Sequence, residues 1–143
     1  MAAIITLLTD FGVADGYVAS MKGVILGICP EAMLVDVSHM IAPQDVRAAA
    51  YVISTAYRYF PPGTVHLAVV DPGVGTERRA LALKAADQFF VGPDNGLFAL
   101  ALQDQPDWNA RSIENPAYWR SEVSNTFHGR DIFAPVAAHL AKG

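Results

Sequence analysis

The sequence predicts an α/β domain: a mainly parallel sheet covered by helices on both faces, with a short antiparallel hairpin. Short apolar runs without helical period alternate with segments whose apolar residues recur at three and four. The first and third of these runs end in an acid followed by a turn, in Thr9-Asp10-Phe11-Gly12 and Val70-Asp71-Pro72-Gly73. Prolines and glycines separate the segments, as connections in a β-α-β-α-β chain require.

Ile4 to Thr9 is a β-branched and leucine run read as a buried strand, which leaves Asp10 at its carboxyl end. Val18, Met21, Ile25 and Ile28 then predict a crossover helix, with Asp15 as its cap and Pro30 as its stop. Met33 to Val37 predicts a second buried strand ending in Ser38-His39. Pro43 opens a helix with Val46, Ala50, Ile53 and Tyr57 on one face, closed by Pro61-Pro62-Gly63. Val65 to Val70 is the third strand. Leu81 to Lys84 and Phe89 to Val91 predict a hairpin turning at Asp87, and Gly92-Pro93-Asp94-Asn95-Gly96 opens a short helix through Leu97, Leu100 and Ala101. The stretch from Gln103 to Asn109 reads as irregular, and the chain closes on a helix with Ile132, Phe133, Val136 and Leu140 buried.

The 143 residues, 52% hydrophobic and 17% charged, suit one globular domain over 1–143. At this length folding buries roughly 70% of the surface of the unfolded chain, so neither disulfide nor structural metal is required. Fourteen acidic against ten basic residues leave a net charge of −4, which argues against nucleic acid. The single cysteine, Cys29, has no partner in the chain, and an acid follows the start before any leader-length apolar run forms. A reduced, cytoplasmic setting is expected. No window approaches the roughly 20 apolar residues that span a bilayer, so no membrane partner is expected.

Gly73-Val74-Gly75 after a strand invites a phosphate-loop reading, but neither the dinucleotide fingerprint nor a Gly-Lys-Ser/Thr ending is present, and strand rather than helix follows Arg79. Asp10 has two readings: an acceptor for amides of its own turn, or a bidentate acceptor for a ribose diol. Asp71 stands above Pro72-Gly73, and Arg78 is placed to fold back across that loop. An acid and an arginine so spaced are usually a surface pair of little energetic weight. His128, between Phe127 and Gly129 directly before a helix, sits where a ligand can approach closely. His66, His139 and His39 read as structural or surface residues, and Tyr57, Tyr59 and Phe60 as packing. The histidines form no zinc-ligand spacing, and there is no Gly-x-Ser-x-Gly elbow.

Together, Leu8-Thr9-Asp10-Phe11-Gly12, Val35-Asp36-Val37-Ser38-His39, Pro43-Gln44-Asp45-Val46, Phe60-Pro61-Pro62-Gly63-Thr64-Val65, Val70-Asp71-Pro72-Gly73-Val74-Gly75-Thr76, Gly92-Pro93-Asp94-Asn95-Gly96 and Phe127-His128-Gly129-Arg130-Asp131-Ile132-Phe133-Ala134-Pro135 closely resemble the S-adenosyl-L-methionine hydroxide adenosyltransferase family, relatives of the fluorinating and chlorinating adenosyltransferases. The resemblance implies hydrolysis of S-adenosyl-L-methionine to adenosine and methionine by attack of water or hydroxide at ribose C5′, with no cofactor and no metal. It makes Asp71, Arg78 and His128 the hydroxide-handling residues and Asp10 the ribose-diol acid. In the halide-using relatives the position of Asp71 is a tyrosine and the Arg/His pair is not retained. It further implies a homotrimer, and a second β-barrel domain, lacking here, that supplies adenine and methionine contacts from the neighbouring subunit. The alternative is a catalytically silent adenosine-binding or oligomerising remnant.

Overall fold

The computed structural model describes residues 3–143. Met1 and Ala2, which begin the segment read for a leader, lie outside the described residues. In chain order the elements are β1 (Ile4–Thr9), α1 (Tyr17–Ile28), β2 (Met33–Ser38), α2 (Val46–Ala56), β3 (Val65–Val69), β4 (Ala80–Ala85), β5 (Gln88–Pro93), α3 (Ala99–Leu102), β6 (Asn109–Ser112) and α4 (Ala134–Lys142). The six strands form one sheet in the order β2-β1-β3-β5-β4-β6. β1 is parallel to both β2 and β3, and β3 is parallel to β5; β4 runs antiparallel to β5 and β6.

The central strands are buried on both faces, which is why they read as largely apolar runs broken only by Thr6, Thr9 and His66. Successive side chains of β1 and β3 serve opposite faces. Ile5, Leu7, Leu67 and Val69 pack with Met21 and Ile25 of α1 and with Phe133 and Ala137 near the carboxyl end. Leu8, Ala68 and Val70 pack with Ile53 of α2, Tyr57, and Leu97, Phe98 and Ala101 around α3. The sheet is therefore covered on both sides, as the alternation predicts. Among the described residues no helix is long and apolar enough to cross a membrane.

Several local expectations change. Asp15 does not cap α1: Gly16 holds the N-cap position without a side-chain bond, and its carbonyl accepts from the Ser20 hydroxyl. β2 is an edge strand, half-exposed rather than buried, because only β1 pairs with it. α2 begins at Val46, three residues after Pro43, since the Asp45 carboxylate accepts from the Ala48 amide at 3.0 Å and sets the start there. The hairpin turns on Ala86 and Asp87, both with positive φ (53° and 59°), between the paired residues Ala85 and Gln88. β6 begins at Asn109, the last residue of the stretch read as irregular, and runs through residues for which no element was expected. The last helix is prefaced by one π-helical turn, Gly129–Phe133, and Ile132, Phe133 and Val136 are buried as expected, Leu140 only partly.

Candidate active site

β1 and β3 are neighbours, with Thr9 opposite Val69, so Asp10 and Asp71 leave the sheet side by side at its carboxyl edge. From β1 the chain crosses to β2 on one side, and from β3 it leads toward β4 and β5 on the other. A crevice opens where the connections of a parallel sheet diverge in this way.

Arg78 ties together two side chains of that crevice, Asp71 and His128. Its Nε donates to Asp71 Oδ1 at 2.9 Å, its Nη2 donates to Asp71 Oδ2, and Nη2 also reaches Nδ1 of His128 at 2.9 Å. The pair is not a solvent-exposed contact: the Asp71 side chain is 5% and that of Arg78 12% exposed. The guanidinium carbon also lies 5.2 Å from the centre of the Phe133 ring. The loop between Asp71 and Arg78 is held from within, by Val74 N to the Asp71 carbonyl (3.1 Å) and Thr76 N to the Gly73 carbonyl (3.0 Å). Its glycines serve contact rather than an anion. A Cβ at Gly73 would press on the Arg78 side chain, and one at Gly75, where φ is +80°, would overlap the Asn125 carbonyl oxygen. The loop thereby lies directly against the segment that leads to His128.

Asp131 fixes that segment. Its fully buried carboxylate accepts from Arg120 Nη1 (2.7 Å), Arg130 Nε (2.7 Å) and the Ser124 amide (2.8 Å). Burial alone would raise its pKa; the bonds from Arg130, Ser124 and Arg120 outweigh it and draw the pKa down to about 2. His128 stands at the head of the π-helical turn. Burial first, and the Arg78 charge second, push its pKa below the usual histidine value. Sequence reasoning gave Asp131 no role. The available signal was an acid on the apolar side of a helix start, directly after Arg130.

Asp10 lines a cavity of about 270 Å³ whose lining also includes Gln44, Asp71, Phe127 and His128. Its Oδ2 accepts from the Gln44 amide at 2.7 Å. It does not tie its own turn: the Phe11 amide donates to Thr9 Oγ1 (3.2 Å) and the Gly12 amide to the His39 carbonyl (2.8 Å). The structure thus joins Asp71, Arg78 and His128 by hydrogen bonds and places Asp10, Asp71 and His128 in the lining of one cavity, with Arg78 behind that lining. A larger cavity of about 540 Å³ lies between α3 and the β4–β6 edge, lined largely by apolar side chains such as Leu81, Leu97 and Trp108, and contains none of these four.

The other histidines are placed elsewhere. His66 is fully buried, between Thr6 Oγ1 (2.7 Å) and Gln88 Oε1 (2.5 Å). His139 meets the edge of Tyr118. His39 is buried and bonded to Thr9 and Asp36. Tyr57 packs in the core while Tyr59 is 84% exposed, so they form no common platform.

Comparison with known proteins agrees with this architecture. The (R)-S-adenosyl-L-methionine hydrolase of Salinispora tropica is 51% identical over 140 residues, covering 97% of this chain and 53% of that protein. The protein of the same name from Thermus thermophilus is 49% identical over 144 residues, covering 95% of this chain and 56% of that protein. A crystal structure of an uncharacterized conserved protein from Thermotoga maritima superposes with a TM-score of 0.95 at 47% identity, over 97% of this chain and 54% of that one. The chain spans about half the length of these relatives. Residues 5–143 match the family described as the SAM hydroxide adenosyltransferase N-terminal domain, and the chain belongs to that family.

Proposed function

We propose that this chain serves the hydrolysis of S-adenosyl-L-methionine to adenosine and L-methionine, with Asp71, Arg78 and His128 handling the water and Asp10 holding the ribose diol. The observation that carries the reading is one arginine bonded to both an acid and a histidine, Asp71 and His128, which line one cavity together with a second acid, Asp10. The activity named for the relatives described above supports it.

The water oxygen bonds to C5′ as the C5′–S bond breaks, and the electron pair leaves with methionine as a neutral thioether. A sulfonium cation therefore loses its charge while hydroxide loses its own, a reaction that a water-poor site favours. The difficulty is the proton, because water has a pKa of about 15.7. Arg78 stabilises negative charge as it builds on oxygen. An arginine has no acceptor, so the Arg78–His128 bond uses the lone pair on Nδ1 and leaves the proton of the neutral ring on Nε2. Asp71, with carboxylate lone pairs beyond those Arg78 occupies, is the group with acceptor capacity left for the proton of the water.

In this reading S-adenosyl-L-methionine is the substrate and no cofactor or metal takes part. A cavity of about 270 Å³ is below the usual range of roughly 300–1,000 Å³ for enclosing a small ligand, so a further surface closes it; the proposal assigns this to a neighbouring subunit of a homotrimer in the cytoplasm, with residues 1–143 as one domain.

The test joins this chain to the second half of the Salinispora tropica relative and supplies S-adenosyl-L-methionine in ¹⁸O-labelled water. Adenosine and methionine in equal amounts, with the label on the adenosine 5′-hydroxyl, are expected. A folded joined protein that forms no adenosine supports the silent adenosine-binding alternative instead. Methylthioadenosine with labelled homoserine would mean that water attacks the methionine side chain.

A further inference from the structure

His39 lies behind Asp10, on the loop that follows β2. Its Nδ1 is 2.8 Å from Thr9 Oγ1, and its Nε2 is 2.8 Å from Asp36 Oδ1. Lys22 Nζ holds the other oxygen of Asp36 at 2.8 Å. One proton arrangement satisfies every member: the Thr9 hydroxyl donates to Nδ1, Nε2–H donates to Asp36, and Thr9 Oγ1 keeps a lone pair for the Phe11 amide. The carbonyl of the same His39 accepts from the Gly12 amide at 2.8 Å. One residue thus grips the turn of Asp10 on both sides, at Thr9 through its ring and at Gly12 through its backbone. Five positions later, the same loop presents the Gln44 amide to the Asp10 carboxylate. Gln44 does so at φ 64°, a left-handed conformation costly for a residue with a Cβ.

We propose that Asp36 and His39 are positioning residues for the sugar-binding half of the site: they set the height and direction of the Asp10 carboxylate through Thr9. The proposal rests on the ribose reading of Asp10. A histidine that merely filled space would need neither the Asp36 partner nor bonds flanking this one acid. The ring bonds also run across the sheet, joining the end of β1 to β2, its neighbour on the side away from β3.

Adenosine titrated into the joined protein described above, followed by amide NMR shifts, tests this. Gln places its amide nitrogen near the Nε2 position and keeps Asp36; Asn fills the Nδ1 position and keeps Thr9. His39→Gln is expected to raise the adenosine Kd about tenfold, the upper range for one buried hydrogen bond, and to move the Gln44 amide proton as its carboxylate partner shifts. His39→Asn is expected to lose much less. Asp36→Ala is expected to fall between them, and because Asp36 is 45% exposed it carries the comparison if His39→Gln does not fold. In an Asp10→Ala background, His39→Gln or Asp36→Ala is expected to change the Kd by less than about twofold, since a positioning residue has nothing left to position. Effects that simply add to Asp10→Ala, or equal losses from His39→Gln and His39→Asn, overturn the proposal while leaving the ribose reading intact. An unmodified, folded joined protein that does not bind adenosine, or an Asp10→Ala form that binds it equally well, overturns the ribose reading and this proposal together.

Discussion

Arg78 Nη2 stands 2.9 Å from Nδ1 of His128, fifty residues further along the chain. The contact dictates a protonation state, because a guanidinium only donates. His128 is expected to titrate below the usual histidine value, held down by burial and then by the Arg78 charge. Arg78→Met removes the second cause and leaves the Asp71 carboxylate, so the His128 pKa should rise. Imidazole NMR titration of both proteins measures it; an unchanged or lower value in the variant contradicts the assignment.

Turnover depends on the three joined groups in different ways. In the joined protein, Asp71→Asn, Arg78→Ala and His128→Ala should each lower kcat by about a hundredfold or more, with KM less affected. Arg78→Lys should not restore the rate, since an ammonium cannot reproduce the forked contact with Asp71 while reaching His128. Losses confined to KM would assign these residues to substrate binding.

Halide should not replace water. The carboxylate of Asp71 lines the cavity in which the nucleophile would sit, and a fixed anion repels chloride or fluoride. Chromatography of reactions with added halide should show adenosine and no appreciable halogenated nucleoside; a halogenated main product would contradict the role given to Asp71.

Acid should destabilise the fold in two separate steps. Burial draws the His66 pKa from 6.5 to about 4, only partly offset by its bond to Gln88. The native state thus favours the neutral ring, and its contribution is complete above pH 6.5. It is lost as the pH falls from 6.5 to about 4, by up to about 3 kcal/mol at about 1.36 kcal/mol per pH unit. The Asp131 pKa is likewise lowered, and its contribution is lost only between its ordinary value of 3.8 and about 2. Urea unfolding at several pH values should show the first decline well before the second; a flat profile from pH 6.5 to 4.5 would contradict the His66 account.

The β4–β5 hairpin carries removable strain. Ala86 and Asp87 both adopt left-handed backbone angles, which Asn and Gly occupy with less cost. Ala86→Asn with Asp87→Gly should stabilise the chain by about 1 kcal/mol, read from the urea midpoint at unchanged adenosine affinity. A loss of stability would show that the native side chains contribute more than the turn strain costs.

Much of the fold was legible because buried parallel strands leave a simple trace. Ile4–Thr9 has the same bounds in sequence and structure, since the strand is β-branched and leucine throughout and Asp10 ends it. β6 left no trace: Asn109–Ser112 is exposed along its whole length and is held by its backbone ladder to β4. The Asp71 loop could be read from Pro72 and Gly73, whereas its contact with His128 depends on Gly75 meeting Asn125, a distant juxtaposition. His39 reads from sequence only as a structural or surface residue for the same reason. Its partners Thr9 and Asp36 lie on two different strands, and no local pattern announces that β1 and β2 bring them together.

The π-helical turn from Gly129 to Phe133 acts as a phase adjuster. The Ala134 amide bonds back to Gly129, five residues away, so one residue more than an α-turn needs is accommodated between His128 and the helix that packs on the sheet. With α4 fixed by its buried alanines, removing one residue would rewind the turn to α and rotate everything before it by about 100°. The imidazole would swing away from Arg78 while Phe133 stayed in the core. Along this stretch, length is under tighter constraint than composition: a conservative replacement at Ile132 leaves the angular register of His128 intact, and a single deletion does not.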